Sequence, residues 1–363
     1  MRTHHSENER IKRRYFQYLR EARRCSDDTV DGAAAALARF EHYNKYRDFH
    51  AFHIEQAVGF KAFLRNQRGT RTGQNLSYAT IYGVLKALKA FFEWLASQPG
   101  YRSRIAYSDA QYFNLDDKAA RVATARRESA FPSIEQLRHT ISTMPKESPV
   151  ERRNRSLIAF TLLTGARDSA TASFRLKHID TLRNLLNQDA REVDTKFSKT
   201  IVTTFFPVGD DVRATVVDWV RYLQCELLWG PDDPLFPASE IALVGGKFVL
   251  QGLARKHWRS TGPIRDIFKV AFISAGLPYF NPHSVRKTLV QLGERCCRTP
   301  EEFKAWSQNL GHEKVLTTFS SYGQVSLARQ AEIIARLHHP QPNNLENDAL
   351  LGQIRQLVEQ RAR

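Results

Sequence analysis

LGHEKVLTTFSSY, residues 310–322, closes the most informative series in this 363-residue chain: Leu310-Gly311-His312 and, ten residues after the histidine, Tyr322. His283-Ser284-Val285-Arg286 stands upstream of it, and Thr164-Gly165-Ala166-Arg167 further upstream still. A phenol, two histidines and two arginines in this order suit one kind of chemistry. The phenol attacks a phosphate, and the cations hold its charge without a metal ion or a nucleotide. Taken singly, each residue has an ordinary reading. Tyr322 is one of 12 tyrosines, and at a reference pKa of about 10 only about one phenol in a thousand is ionised at pH 7. Chemistry at Tyr322 therefore needs a base or a strong local positive potential.

The local contexts are specific. Asn281-Pro282 supplies an N-cap and a first-turn proline, predicting a helix over 282–295. His283 and Arg286, three apart, share a face of its first turns, where backbone N–H groups and the helix dipole favour an anion. The arginine adds a planar fork for two phosphate oxygens. RSLIAFTLLT, residues 155–164, reads as a buried helix stopped by Gly165, which places Arg167 at a helix end near the domain interior. Thr299-Pro300-Glu301-Glu302 is a capping box whose helix ends near Asn309, with Gly311 as its C-terminal glycine. His312 is then held at a bend. Arg191–Val208 is rich in Thr, Val, Ile and Phe and predicts a β-hairpin carrying Lys196 and Lys199. A lysine there can lean over a phosphate and give a proton to a leaving oxygen.

Composition points to a folded protein whose basic surface suits a long polyanion such as DNA or RNA, or is merely a solvated basic surface. Hydrophobic residues make up 42%, enough for a sizeable core in two domains, and the net charge of +16 is shared by both halves rather than lodged in a tail. The four cysteines show no zinc spacing and fit reduced thiols in a cytoplasmic setting. The N-terminus lacks an apolar signal core, and no apolar run is long enough for a membrane span. Neither a phosphate-binding glycine loop nor a magnesium-spaced carboxylate cluster is present, so no cofactor is expected.

Along the chain, residues 1–30 read as a basic N-terminal extension and 31–117 as a helical domain. Within the latter, Ile81, Val84, Leu85, Leu88, Phe91, Phe92 and Leu95 recur at helical spacing after an N-cap at Ser77, and an earlier helix spans Ile54–Asn66. Residues 118–131 read as a basic linker, either following a DNA backbone or merely solvated. A mostly α domain with one small sheet covers 132–340, opened by the capping box Ser133-Ile134-Glu135-Gln136, with helical patterns resuming after the hairpin. Residues 341–363 read as a C-terminal helix, packing on another protomer or back on its own domain.

The ordered set of Arg, hairpin Lys, H-x-x-R, G-H and Tyr resembles the tyrosine recombinase (phage integrase) family over nearly the whole chain. The resemblance implies a fold that is mostly α with a small β-sheet: a helical core-binding domain followed by a mixed α/β catalytic domain. It implies that Arg167 and Arg286 bind the scissile phosphate, that His283 and His312 flank it, and that Tyr322 is the nucleophile. Lys199 has the usual spacing from Pro207 for the lysine, with Lys196 as the alternative. It further implies double-stranded DNA as partner, a tetramer of protomers on DNA, an accessory directionality factor and mobile-element recombination. A type IB topoisomerase, or a DNA-binding accessory protein without catalysis, are the alternatives. Two features depart from the family's common pattern. Ala170 stands where an acid often lies three residues after the first arginine, with Asp168 the candidate to take over that support. The wording Phe319-Ser320-Ser321-Tyr322-Gly323 also differs.

Overall fold

The computed structural model describes residues 4–69, 73–125, 130–195 and 199–312. Lys196, Tyr322 and the C-terminal helix expected over 341–363 lie outside them. The chain divides into two compact units at 127/128.

The first unit holds α1 (Ser6–Gln17), α2 (Asp27–Tyr43), α3 (Ile54–Asn66), α4 (Tyr78–Leu95) and α5 (Asp117–Thr124). In α4 the apolar stripe is the buried face, with Ile81, Leu85, Leu88, Phe91, Phe92 and Leu95 enclosed and Val84 packed at its margin. The Ser77 Oγ accepts from the Thr80 N–H at 3.2 Å and starts the helix as expected. The centre is aromatic: Phe40 meets Phe60, Phe92 and Phe113 edge-on at 5.1, 5.5 and 5.6 Å. The first thirty residues are not a separate extension. Ile11, Tyr15 and Leu19 lie in the same core, and fully buried Asn8 ties α1 to it. The Asn8 Nδ2 donates to Glu41 Oε1 and to the Arg47 carbonyl, while its Oδ1 accepts from the Phe49 N–H. Part of the expected linker is likewise ordered: α5 is capped by Asp116 and buries Ala119.

The second unit is built on α6 (Ile134–Thr143), α7 (Pro149–Thr164) and α8 (Asp168–Ser173), then the strands β1 (Ile179–Asp180), β2 (Leu185–Gln188) and β3 (Ile201–Thr204). After α9 (Asp210–Arg221) come β4 (Ala238–Val244) and β5 (Lys247–Ala254), and then α10 (Gly262–Ser274), α11 (Ser284–Cys296) and α12 (Pro300–Asn309). Helix α7 is central. Its second half, Leu157–Leu163, is buried on every face and packs against α6, α9 and α11. The capping boxes at Ser133/Gln136 and Thr299/Glu302 form as the sequence predicts.

Two strand assignments differ from the sequence reading. The sheet is antiparallel in the order β1-β2-β3, so only its third strand falls within Arg191–Val208. Its partner β2 lies earlier because Leu186 is the side chain that reaches the core. Asp189 then accepts from the Arg191 N–H at 3.0 Å and turns the chain out of the strand. The second difference is a separate hairpin, β4–β5, where helices are expected to resume. Its two-residue turn is Gly245-Gly246, both at positive φ (58° and 77°), the conformation that favours a tight hairpin and that glycine adopts without strain.

Candidate active site

The site is assembled from helix ends. Helix α7 stops at Gly165, whose left-handed conformation (φ 63°, ψ 19°) turns the chain back toward Arg167. Helix α12 ends in a Schellman arrangement. The Gly311 N–H donates to the Gln308 carbonyl at 2.7 Å, and the His312 N–H reaches back to the Ser307 carbonyl at 3.1 Å. Gly311 takes φ 68°, as that cap requires. The Leu-Gly-His motif is thus a helix cap, and it fixes the His312 backbone. Helix α11 begins with a tight turn in which Asn281 Oδ1 accepts from the Ser284 N–H at 3.1 Å. This is the cap predicted for it, although the regular helix starts two residues later than expected. His283 is exposed there, and Arg286 points inward.

Arg286 is the pivot. Only 6% exposed, it donates Nη1 to the Gly165 carbonyl and Nη2 to the Leu310 carbonyl (2.5 Å), the negative ends of α7 and α12. The same Nη2 faces His312 Nε2 at 3.1 Å. Burial, and then the nearby Arg167, pull the Arg286 pKa down to about 9, which still leaves it charged at neutral pH. An arginine has only donors, so His312 Nε2 is the acceptor in this contact and Nδ1 carries the imidazole hydrogen. Burial, followed by Arg286, Arg167 and His283, lowers the His312 pKa to about 4. His312 is therefore a neutral hydrogen-bond donor at pH 7.

Arg167 is half-buried, and burial lowers its pKa. Among the described residues no carboxylate pairs with either arginine. Asp168, expected to support Arg167, instead binds Arg265 of α10 at 3.0 Å. Ala170, where the family often has an acid, lies in the apolar core at 2% exposure. The charge of Arg167 helps to lower the Arg286 pKa, so the two like charges repel, and an anion relieves that repulsion.

The structure thus brings Arg167, His283, Arg286 and His312 together. Lys199 leads into β3, whose Ile201 packs on Gly311; a Cβ at Gly311 would stand 2.6 Å from Ile201 Cδ1. Sequence reasoning missed the parts that hold this frame. Trp306 donates Nε1 to the Leu289 carbonyl at 2.9 Å and lies flat against Gly293, locking α12 to α11. A glycine inside a predicted helix is the one signal that pointed there.

No family model and no curated protein matches the chain. Solved structures do. A lambda integrase fragment, solved as a dimer bound to a COC' core site, is 13% identical over 88% of this chain and 99% of its own, with a TM-score of 0.59. XerH, solved with a palindromic difH substrate as a post-cleavage complex, is 16% identical over 89% and 83%, with a TM-score of 0.55. The Tn1549 transposon integrase in complex with circular intermediate DNA is 15% identical over 90% and 99%, with a TM-score of 0.54. The chain has the tyrosine recombinase fold.

Proposed function

We propose that this chain is a site-specific DNA recombinase that cuts and rejoins strands through a 3′-phosphotyrosyl intermediate. The observation that carries the reading is the meeting of Arg167 and Arg286, neither paired with a carboxylate among the described residues, beside neutral His312. An anionic phosphate would neutralise the two arginines. The net charge of +16 supplies a surface for double-stranded DNA.

In the proposed step the Tyr322 Oη bonds to phosphorus as the bond from phosphorus to the 5′-oxygen breaks. Arg167 and Arg286 neutralise charge on the non-bridging oxygens, and His312 donates to one of them from Nδ1. His283 takes the phenolic proton, and Lys199 (alternatively Lys196) gives a proton to the leaving oxygen, producing a 5′-hydroxyl. One phosphate ester replaces another, so a 5′-hydroxyl from a second strand reverses the step without an energy source. Exchange between two duplexes calls for several protomers, and we assign a tetramer on DNA, as the family resemblance implies. Movement of a mobile element, with an accessory directionality factor, is the use we assign.

The test is incubation of the full chain with nicked duplexes made from the DNA flanking its own gene, followed by denaturing electrophoresis. A protein–DNA adduct that is lost in Tyr322→Phe supports the proposal. An adduct that persists in Tyr322→Phe removes it. Relaxation of a plasmid lacking those flanks would point to topoisomerase action instead.

A further inference from the structure

We propose that Asn309 is a positioning residue that sets strand β3, which begins two residues after Lys199, against the Arg286–His312 corner. The inference rests on the phosphotyrosyl reading above. Asn309 is the last residue of α12, and its amide treats Thr204 as a neighbouring strand would. Its Oδ1 accepts from the Thr204 N–H at 2.7 Å, and its Nδ2 donates to the Thr204 carbonyl at 2.8 Å. The Asn309 carbonyl accepts from Thr203 Oγ1 at 3.1 Å, and that hydroxyl accepts from Gln188 Nε2 at 3.0 Å. Thr203 and Gln188 are buried, at 1% and 7% exposure. Strand β3 is the end strand of its sheet, with β2 on one side. Asn309 fills the other side.

The placement matters because of what the same turn holds. One residue after Asn309, the Leu310 carbonyl accepts from Arg286, and two residues later His312 is fixed by its bond to the Ser307 carbonyl. Lys199 lies five residues before Thr204, on the segment that leads into the strand. One side-chain amide therefore connects the strand that follows the proposed acid to the turn that orients the phosphate-binding groups. The amide makes two directional hydrogen bonds, and the Asn309 backbone carbonyl accepts a third; such bonds set register and distance more sharply than apolar packing does.

If Asn309 acts through the lysine, its loss harms only reactions that need a proton delivered to the leaving group. Sulfur in place of the bridging 5′-oxygen removes that need, because a thiol has a pKa of about 8.5 whereas water's is about 15.7. The experiment uses the full chain and a nicked duplex of the sequence that forms adduct with it, carrying oxygen or sulfur at that position. Asn309→Leu is expected to lose about 10- to 100-fold in adduct rate on the oxygen substrate, the scale of a displaced catalytic group, and to stay within about 2-fold of the native chain on sulfur. Asn309→Asp keeps the acceptor for Thr204 and should show a smaller loss of the same kind. Lys199→Ala should share the pattern. Equal losses on both substrates for both Asn309 variants, or no loss on oxygen, would overturn the proposal. So would a Lys199→Ala defect that sulfur does not rescue. Failure of the native chain to form any adduct would instead remove the phosphotyrosyl reading itself.

Discussion

Gly311→Ala perturbs the histidine-bearing cap at one atom. Two separable costs follow from the structure. The residue takes φ 68°, and an L-residue in the left-handed region costs about 1–2 kcal/mol. The new Cβ would also stand 2.6 Å from Ile201 Cδ1, with Cγ1 and Cγ2 at 3.4 and 3.5 Å. Overpacking of that kind costs about 1–3 kcal/mol. The total, about 2–5 kcal/mol, corresponds to about 2–4 °C per kcal/mol for a unit of this size, hence a fall of about 4–20 °C in melting temperature. A double-mutant cycle separates the terms. Ile201→Val removes Cδ1 and costs about 1 kcal/mol alone. In Gly311→Ala/Ile201→Val the closest clash is gone while the backbone cost and the cost of Ile201→Val remain, so the pair should couple by about 1–3 kcal/mol in the stabilising direction. Denaturant unfolding of the four proteins, followed by circular dichroism, measures this. A Gly311→Ala variant as stable as the native chain would refute the left-handed cap, and strictly additive effects would refute the contact between β3 and Gly311.

Other outcomes follow from the same geometry. Gly293→Ala gains helix propensity of about 1 kcal/mol, but its Cβ would lie 2.6–2.9 Å from the Trp306 ring; a net loss of about 1–3 kcal/mol in unfolding experiments is expected. The His312 imidazole should titrate near pH 4 in NMR and keep its hydrogen on Nδ1. Since its folded pKa lies below the usual value near 6.5, the unfolded chain takes up the proton first, and stability falls as pH drops from about 6.5 toward 4, by about 1 kcal/mol after discounting for partial exposure. His312→Phe should remove that slope in melting curves. Asp168→Asn breaks only the pair with half-exposed Arg265, so stability should change by at most about 1 kcal/mol and the adduct rate by less than about 3-fold; a loss of 100-fold would show that Asp168 serves Arg167 after all. Arg167→Ala relieves repulsion of Arg286 and should leave the melting temperature unchanged or higher, while adduct formation falls by about 100- to 1,000-fold.

The helix ends were legible because they are written locally. Ser133 with Gln136, Thr299 with Glu302, Ser77 and Gly311 each announce a cap within four residues, and the caps form. That is why Arg286 and His312 could be placed at helix termini from residues alone. What stayed hidden depends on partners far apart in the chain. Asp168 finds Arg265 across 97 positions and Asn309 finds Thr204 across 105, and no periodicity reports such pairs. Strand β2 was missed because its four residues are too short for an alternation to register, and the β-branched run after Arg191 drew the strand reading forward. The β4–β5 hairpin is signalled by Gly245-Gly246, but its flanks, Ile241–Val244 and Phe248–Leu250, are continuous apolar runs, whose spacing does not separate strand from helix. The pairing of Asp168 shows the limit of the family resemblance: a charged residue near the right place took a different partner.

The central claim is a phosphate ester formed at one phenol, and peptide mapping of the adduct tests it most directly. After trypsin and nuclease digestion, mass spectrometry should find the residual nucleotide on the peptide 315–329, VLTTFSSYGQVSLAR, with fragment ions placing a 3′-linked phosphate on Tyr322. A nucleotide on any other residue, on one of the serines beside Tyr322, or on no peptide at all would contradict the account.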